Sequence, residues 1–163
     1  MIGRTEFTIE PGKPWLVIRR VFDAPPHLVF EATTRPEHMK HWYGPRGSRV
    51  TDCRIDLRPG GHWRVVVLMP DGSEHGFGGV YREVEPGNRL VYTFVYDGFP
   101  DAEAVESVTF EAQPGDRTLV TIHVMHKSVE HRDGHVASGM EVGATESQDR
   151  LAERLAALAQ NPS

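Results

Sequence analysis

The chain has 163 residues, 39% of them hydrophobic and 25% charged, with a formal net charge of −5 and a pI near 6.0. That is enough for one domain with its own core and no staples, and the acidic balance argues against nucleic acid or an anionic membrane as partner. Cys53 is the single cysteine, so the chain has no internal disulfide framework. Residues 1–14 lack the basic start and apolar run of a signal peptide. No run approaches the length of a membrane span, and the expected location is the cytoplasm.

Residues 1–14 are polar, with Pro11-Gly12 and Pro14, and read as an N-terminal extension to a domain over 15–160. Trp15–Phe22 is rich in β-formers and predicts the first strand. Asp23 is placed as the N-cap of a short helix from Pro26 to Ala32, because proline is tolerated in the opening positions. A second short helix is expected from Pro36 to just before Gly44-Pro45.

Beyond Pro45 the period changes. Arg49–Asp56 alternates, and Pro59-Gly60-Gly61 marks a turn. Trp63, Val65, Val67 and Met69 share one strand face, and Asp71-Gly72 closes a hairpin. His75–Val84 follows, with Phe77, Gly79 and Tyr81 on one face, although which way Tyr81 points is left open. Arg89–Tyr96 groups Leu90, Tyr92, Phe94 and Tyr96. Val105–Ala112 and Thr118–Met125 are the last strands, joined by Gln113-Pro114-Gly115-Asp116. Short connections throughout predict an antiparallel meander.

The only long helical stripe lies in Asp133–Gln160: Val136, Met140, Gly143/Ala144, Ser147, Leu151, Leu155 and Leu158. A continuous helix of about 25 residues would be roughly 38 Å long and would cover the sheet. Its leucine half has the composition of a clamp. Its first half, with Gly139, Met140 and Gly143, fills space poorly and reads as the roof of a pocket. The fold class is α+β: a curved antiparallel sheet wrapped around a long C-terminal helix, with two short helices after the first strand.

Several ordered stretches resemble a known family. Arg20-Val-Phe-Asp-Ala-Pro25 with Val29-Phe30-Glu31-Ala32, Trp42-Tyr43-Gly44-Pro45, Asp56-Leu57-Arg58-Pro59-Gly60-Gly61, Gly79-Val80-Tyr81 with Arg89-Leu90-Val91, and Ser128-x-Glu130-x-Arg132-Asp133 carry the likeness. Gly139-Met140-Glu141-x-Gly143 and Asp149-Arg150-Leu151 complete it. Together they resemble the START-like SRPBCC superfamily, in the branch of the activator of heat-shock protein 90 ATPase homologues. The resemblance implies a helix-grip fold with a cavity for hydrophobic ligands between sheet and helix. It also brings a co-chaperone reading. The branch's eukaryotic activators carry a large N-terminal domain, so with residues 1–14 alone before the first strand a chaperone contact is disfavoured here.

The expected site is apolar with a few polar groups. Trp63, Val65, Tyr92, Phe94 and Phe110 are placed on the concave side, Trp42 at the end closed by the short helices, and Gly139, Met140 and Gly143 opposite. Tyr92 and His123 are the polar candidates. The competing reading is plain core packing. Metal chemistry is not expected. His131 and His135 are four apart, but Gly134 lies between them and no HExxH pattern exists, while His123 and His126 fall on opposite strand faces. Cys53 lacks a histidine arrangement and reads as a buried thiol, and no Gly-x-Ser-x-Gly elbow occurs. Asp52 and Asp56, about 13 Å apart along a strand, read with Arg54 as a solvated salt-linked edge. The sequence therefore predicts a binding protein for a hydrophobic small molecule, without cofactor, metal or catalytic residues, and compatible with a homodimer. The alternative is a cyclase, aromatase or hydratase type of enzyme using Tyr92, His123 or Glu141 as acid or base.

Overall fold

The computed structural model describes residues 3–160. In chain order the elements are β1 (Glu6–Thr8), β2 (Trp15–Phe22), α1 (Pro26–Thr34), α2 (Pro36–Met39), β3 (Arg49–Ile55), β4 (His62–Leu68), β5 (Glu74–Glu85), β6 (Arg89–Tyr96), β7 (Ala104–Gln113), β8 (Arg117–Met125), α3 (Val129–Ala137) and α4 (Met140–Gln160). The eight strands form one antiparallel sheet in the order β1-β2-β8-β7-β6-β5-β4-β3. The α+β helix-grip architecture is the one read from the sequence.

Three details differ from the sequence reading. Residues 6–8, assigned to a polar extension, form an edge strand whose Phe7 lies opposite Ile18 of β2. Three residues are too few to show a period. Asp23 does not cap α1; Pro25 occupies the N-cap with no side-chain bond, and Asp23 is exposed beside Arg117 at 3.6 Å. The final helix is not continuous. Ser128 caps α3 by accepting from the His131 N–H at 3.1 Å, and Gly139, at φ +88°, ends that helix in the left-handed region. This is the backbone conformation that favours glycine after a helix. What remains, α4, has 21 residues and is about 32 Å long.

Strand alternation sends Leu16, Ile18, Arg20 and Phe22 of β2, and Thr118, Val120, Ile122 and Val124 of β8, toward the helices. The core has two parts. The larger joins Phe22, Val29, Phe30, Phe110 and Val120 to Leu151 and Leu155 of α4. The smaller packs Leu16, Ile18, Ala104 and Val124 against Val136 and Met140. Leu151 and Leu155 are 3% and 2% exposed, so the leucine half is indeed the docked half. Arg20, buried on the sheet, reaches Asp149 of α4 at 2.5 Å and adds a directional tie. The closest backbone neighbours of α4 are α1 and α3 rather than any strand. Before Gln148 no residue of α4 is fully buried, and Met140 alone there joins a core cluster.

Candidate functional site

Beneath the first half of α4 the inner face of β4–β7 is aromatic. Tyr81 lies opposite Tyr92, and Tyr92 opposite Glu106, by strand register. The rings form a continuous surface. Trp63 meets Tyr92 edge-on at 5.7 Å and Phe94 at 5.9 Å, Phe77 lies 5.6 Å from Phe94, and Tyr43 meets Phe77 at 6.0 Å. Tyr43, Phe77, Tyr92, Phe94 and Glu106 all remain only half-buried, although they face inward. Beneath the leucine half, by contrast, Phe22, Phe110 and Val120 are buried.

Gly79 bends the sheet here. A Cβ at this position would collide with the Thr93 carbonyl, so only glycine allows so close an approach. Regular pairing between β5 and β6 lapses around it. The Thr93 hydroxyl accepts the Val80 N–H at 2.8 Å, and the Trp63 indole N–H donates to the Thr93 carbonyl at 3.0 Å. The indole is thereby held edge-in, with its ring exposed to Tyr92 and Phe94.

Glu106 is the chemically distinctive group. The Tyr92 hydroxyl donates to its Oε1 at 2.7 Å. Among the described residues Oε2 accepts no hydrogen bond, and it is not sealed away from solvent-sized space. No lysine, arginine or histidine nitrogen among them reaches this carboxyl. Burial pushes its pKa up to about 7, against the smaller opposing effect of the Tyr92 bond. Burial, and then the neighbouring Glu106, keeps the Tyr92 phenol protonated far above neutrality. Tyr43 and Tyr81 are raised chiefly by burial as well, and burial lifts Cys53 to about 11.

The Trp42-Tyr43-Gly44-Pro45 loop is fastened over this space by α4. Ser147 donates to the Trp42 carbonyl and accepts from the Gly44 N–H, and Arg150 donates to the carbonyls of Gly44 and Pro45. Arg46 pairs with Glu153. On the opposite side α3 supplies His135, whose ring stacks on Phe94 at 6.5 Å. The His126 Nδ1–H donates to the Pro14 carbonyl at 3.1 Å, which leaves its Nε2 to accept from His135 Nδ1 at 2.9 Å. Both rings are neutral in this arrangement. Burial lowers both pKa values, that of His135 to about 4.

Of the residues expected at the site, Trp63, Tyr92 and Phe94 come together, and Met140 and Gly143 are half-buried at the start of α4. The others contribute no exposed part of that surface, although Trp42 lies at the expected end, 5.5 Å from Tyr43. Val65 is fully buried floor, and Phe110 packs edge-on against Phe30 in the larger core. Trp42 donates its indole N–H to the Ala32 carbonyl and so braces the short helices, with Tyr43 extending inward in its place. His123 lies on the outer face, stacked on Trp15 at 5.8 Å, because it shares strand parity with Val17 and not with Ile122. Gly139 is exposed at the helix break and roofs nothing.

Sequence reasoning does not place Tyr43, Phe77, Glu106 or His135 at the site, although it weighs His135 as a metal ligand and groups Phe77 with Tyr81. The signal for Glu106 was present, since it shares strand parity with Val108 and Phe110. His135 depends on the α3 break and carried no comparable signal. The Asp52–Arg54 and Asp56–Arg58 pairs, at 3.0 and 2.9 Å, lie at the surface.

Comparison with known proteins bears on this arrangement. None of the curated proteins compared matches the chain. Among solved structures, a protein from Rhodobacter sphaeroides is 32% identical with a TM-score of 0.84, covering 94% of this chain and 99% of that one. A protein from Nitrosomonas europaea is 29% identical (TM-score 0.79; 94% and 99% covered), and one from Chromobacterium violaceum 26% (TM-score 0.77; 87% and 96%). The profile of the family described as "Activator of Hsp90 ATPase homolog 1-like protein" matches residues 23–156. With that profile spanning α1 to most of α4, the chain belongs to the activator of Hsp90 ATPase homolog 1-like family.

Proposed function

We propose that this protein binds a hydrophobic small molecule between the inner face of β4–β7 and the first half of α4. The observation that carries the reading is the contrast along one layer. Leu151 and Leu155 are buried in the core beneath the second half of α4, whereas side chains of the aromatic face and one carboxyl keep accessible surface. Ligand sites combine such apolar walls with few polar groups. Native mass spectrometry of the purified protein tests the reading. A small-molecule adduct is expected, and Gly143→Leu should remove it while the circular dichroism spectrum is kept. Absence of any adduct, together with no binding of a hydrophobic fluorophore such as anilinonaphthalene sulfonate, would overturn it.

A second reading, acid–base catalysis in the same space, is favoured by one observation: a buried carboxyl with a pKa of about 7 bonded to a phenol. It predicts that the recovered ligand is chemically changed on incubation with the native protein and unchanged with Glu106→Gln.

A further inference from the structure

We propose that Glu106 and the rings around it recognise the protonated amine, or another monocationic head, of a ligand whose body is aromatic or alicyclic. This rests on the binding reading above and names its ligand class. Three observations converge. Glu106 is enclosed yet has no cationic partner among the described residues, whereas the buried Arg20 and Arg132 reach carboxylates at 2.5 and 2.9 Å. A buried carboxylate without a counter-ion is costly, so a partner must come from outside the chain or the group stays protonated. Its one protein bond goes to Oε1, leaving Oε2 turned to the accessible space.

The surrounding walls have the right chemistry. Trp63, Tyr92, Phe94, Phe77 and Tyr43 form an aromatic surface with neighbouring centroids 5.6–6.0 Å apart, and ring faces attract cations within about 6 Å. The titratable groups that sense the carboxyl are the phenols of Tyr92, bonded to it, and Tyr43, with Tyr81 and then Cys53 farther along the same face; all are raised by burial and neutral at pH 7. His135 on α3 is committed to His126. Arg150 of α4, the cation at the loop above, is committed to the Gly44 and Pro45 carbonyls, and an anionic head would meet the carboxylate.

The test uses three probes that share one ring system and differ in head group: 2-(1-naphthyl)ethylamine, 2-(1-naphthyl)ethanol and 1-naphthylacetate, titrated into the full chain by calorimetry. The amine should bind about tenfold or more tighter than the alcohol, the gain expected of a charge-assisted bond in a shielded site. Its affinity should rise about tenfold between pH 6 and pH 8, as the carboxyl goes from about one-tenth to about nine-tenths ionised around a pKa of about 7. At pH 7 its binding should release about half a proton, read from the dependence of the enthalpy on buffer ionisation. Glu106→Gln should abolish both the preference and the pH dependence, leaving the alcohol within about threefold. The pH series on the native protein needs no variant to fold. Equal or tighter binding of the alcohol or the acid overturns the cation assignment and leaves the ligand-binding reading standing. Failure of all three to bind at millimolar concentration overturns both.

Discussion

Glu106 gives the most demanding test of the electrostatics. Its pKa lies at about 7 in the folded chain, against an ordinary 4.5. The folded state therefore holds the proton more tightly than the unfolded state, and between those two values it carries more bound protons. The sign follows from linkage: the group's stabilising share is full below pH 4.5 and declines as pH rises, until it is gone above pH 7. Each tenfold change in proton affinity is worth about 1.4 kcal/mol, so the loss is roughly 3 kcal/mol. Glu106→Gln keeps an oxygen to accept from Tyr92 and cannot ionise. Urea denaturation of both proteins at pH 4.5 and pH 8 isolates this group as a double difference, because every other titrating group cancels. The variant should gain roughly 3 kcal/mol on the native protein between those two conditions. In thermal terms that is about 6–12 °C for a chain of this size. Parallel stability profiles would refute the reasoning and put Glu106 in contact with bulk water.

Leu155→Ala, at a 2% exposed position, should cost about 2–5 kcal/mol in chemical denaturation. Val142→Ala, on the same helix but 64% exposed, should stay within about 0.5 kcal/mol; similar costs would mean that α4 is not docked by its second half. Gly139→Ala meets no neighbouring atom and so reports the backbone alone. At φ +88° it should destabilise by about 1–2 kcal/mol in the same assay, and a neutral result would place the helix break elsewhere.

How much of this was legible in the sequence depends on whether a feature is periodic. The strand faces repeat at 2 residues and the clamp leucines at 3.6, and a meander covered by a C-terminal helix followed from them and from the turn residues; the pairing of β2 with β8 did not. The site is made of departures from period. Gly139 lies inside a stripe that runs unbroken from Val136 to Met140, so the sequence reads one helix where the chain forms two. Tyr43 belongs to a loop whose position is set by Ser147 and Arg150, more than a hundred residues away. Strand parity excludes His123 from the inner face and admits Glu106. That parity is readable once a hydrophobic neighbour such as Ile122 or Val108 anchors it, and ranking side chains by chemistry instead of by face is what misplaces the histidine.

The two buried titrating sites act against each other, which yields a final prediction. His135 is lowered from 6.5 to about 4 by burial, with His126 adding to the effect. A depressed base contributes stability that is complete above pH 6.5 and disappears as pH falls toward 4, again by roughly 3 kcal/mol. Protonation of either ring would place a charge in this buried pair, and protonation of His126 would add an N–H at the Nε2 that accepts from His135 across the 2.9 Å contact. From pH 4.5 to 6.5 the contributions of Glu106 and His135 have opposite slopes and comparable size, so they largely cancel in the native protein. Each single variant should uncover the other group. Relative to the native protein, Glu106→Gln should tilt the profile so that stability rises with pH, and His135→Gln should tilt it the other way. The double variant should return close to the native slope, since the linkages act at separate sites. If the single variants tilt in the same direction, one of the two burial assignments is wrong, and the sign of the shared tilt identifies which.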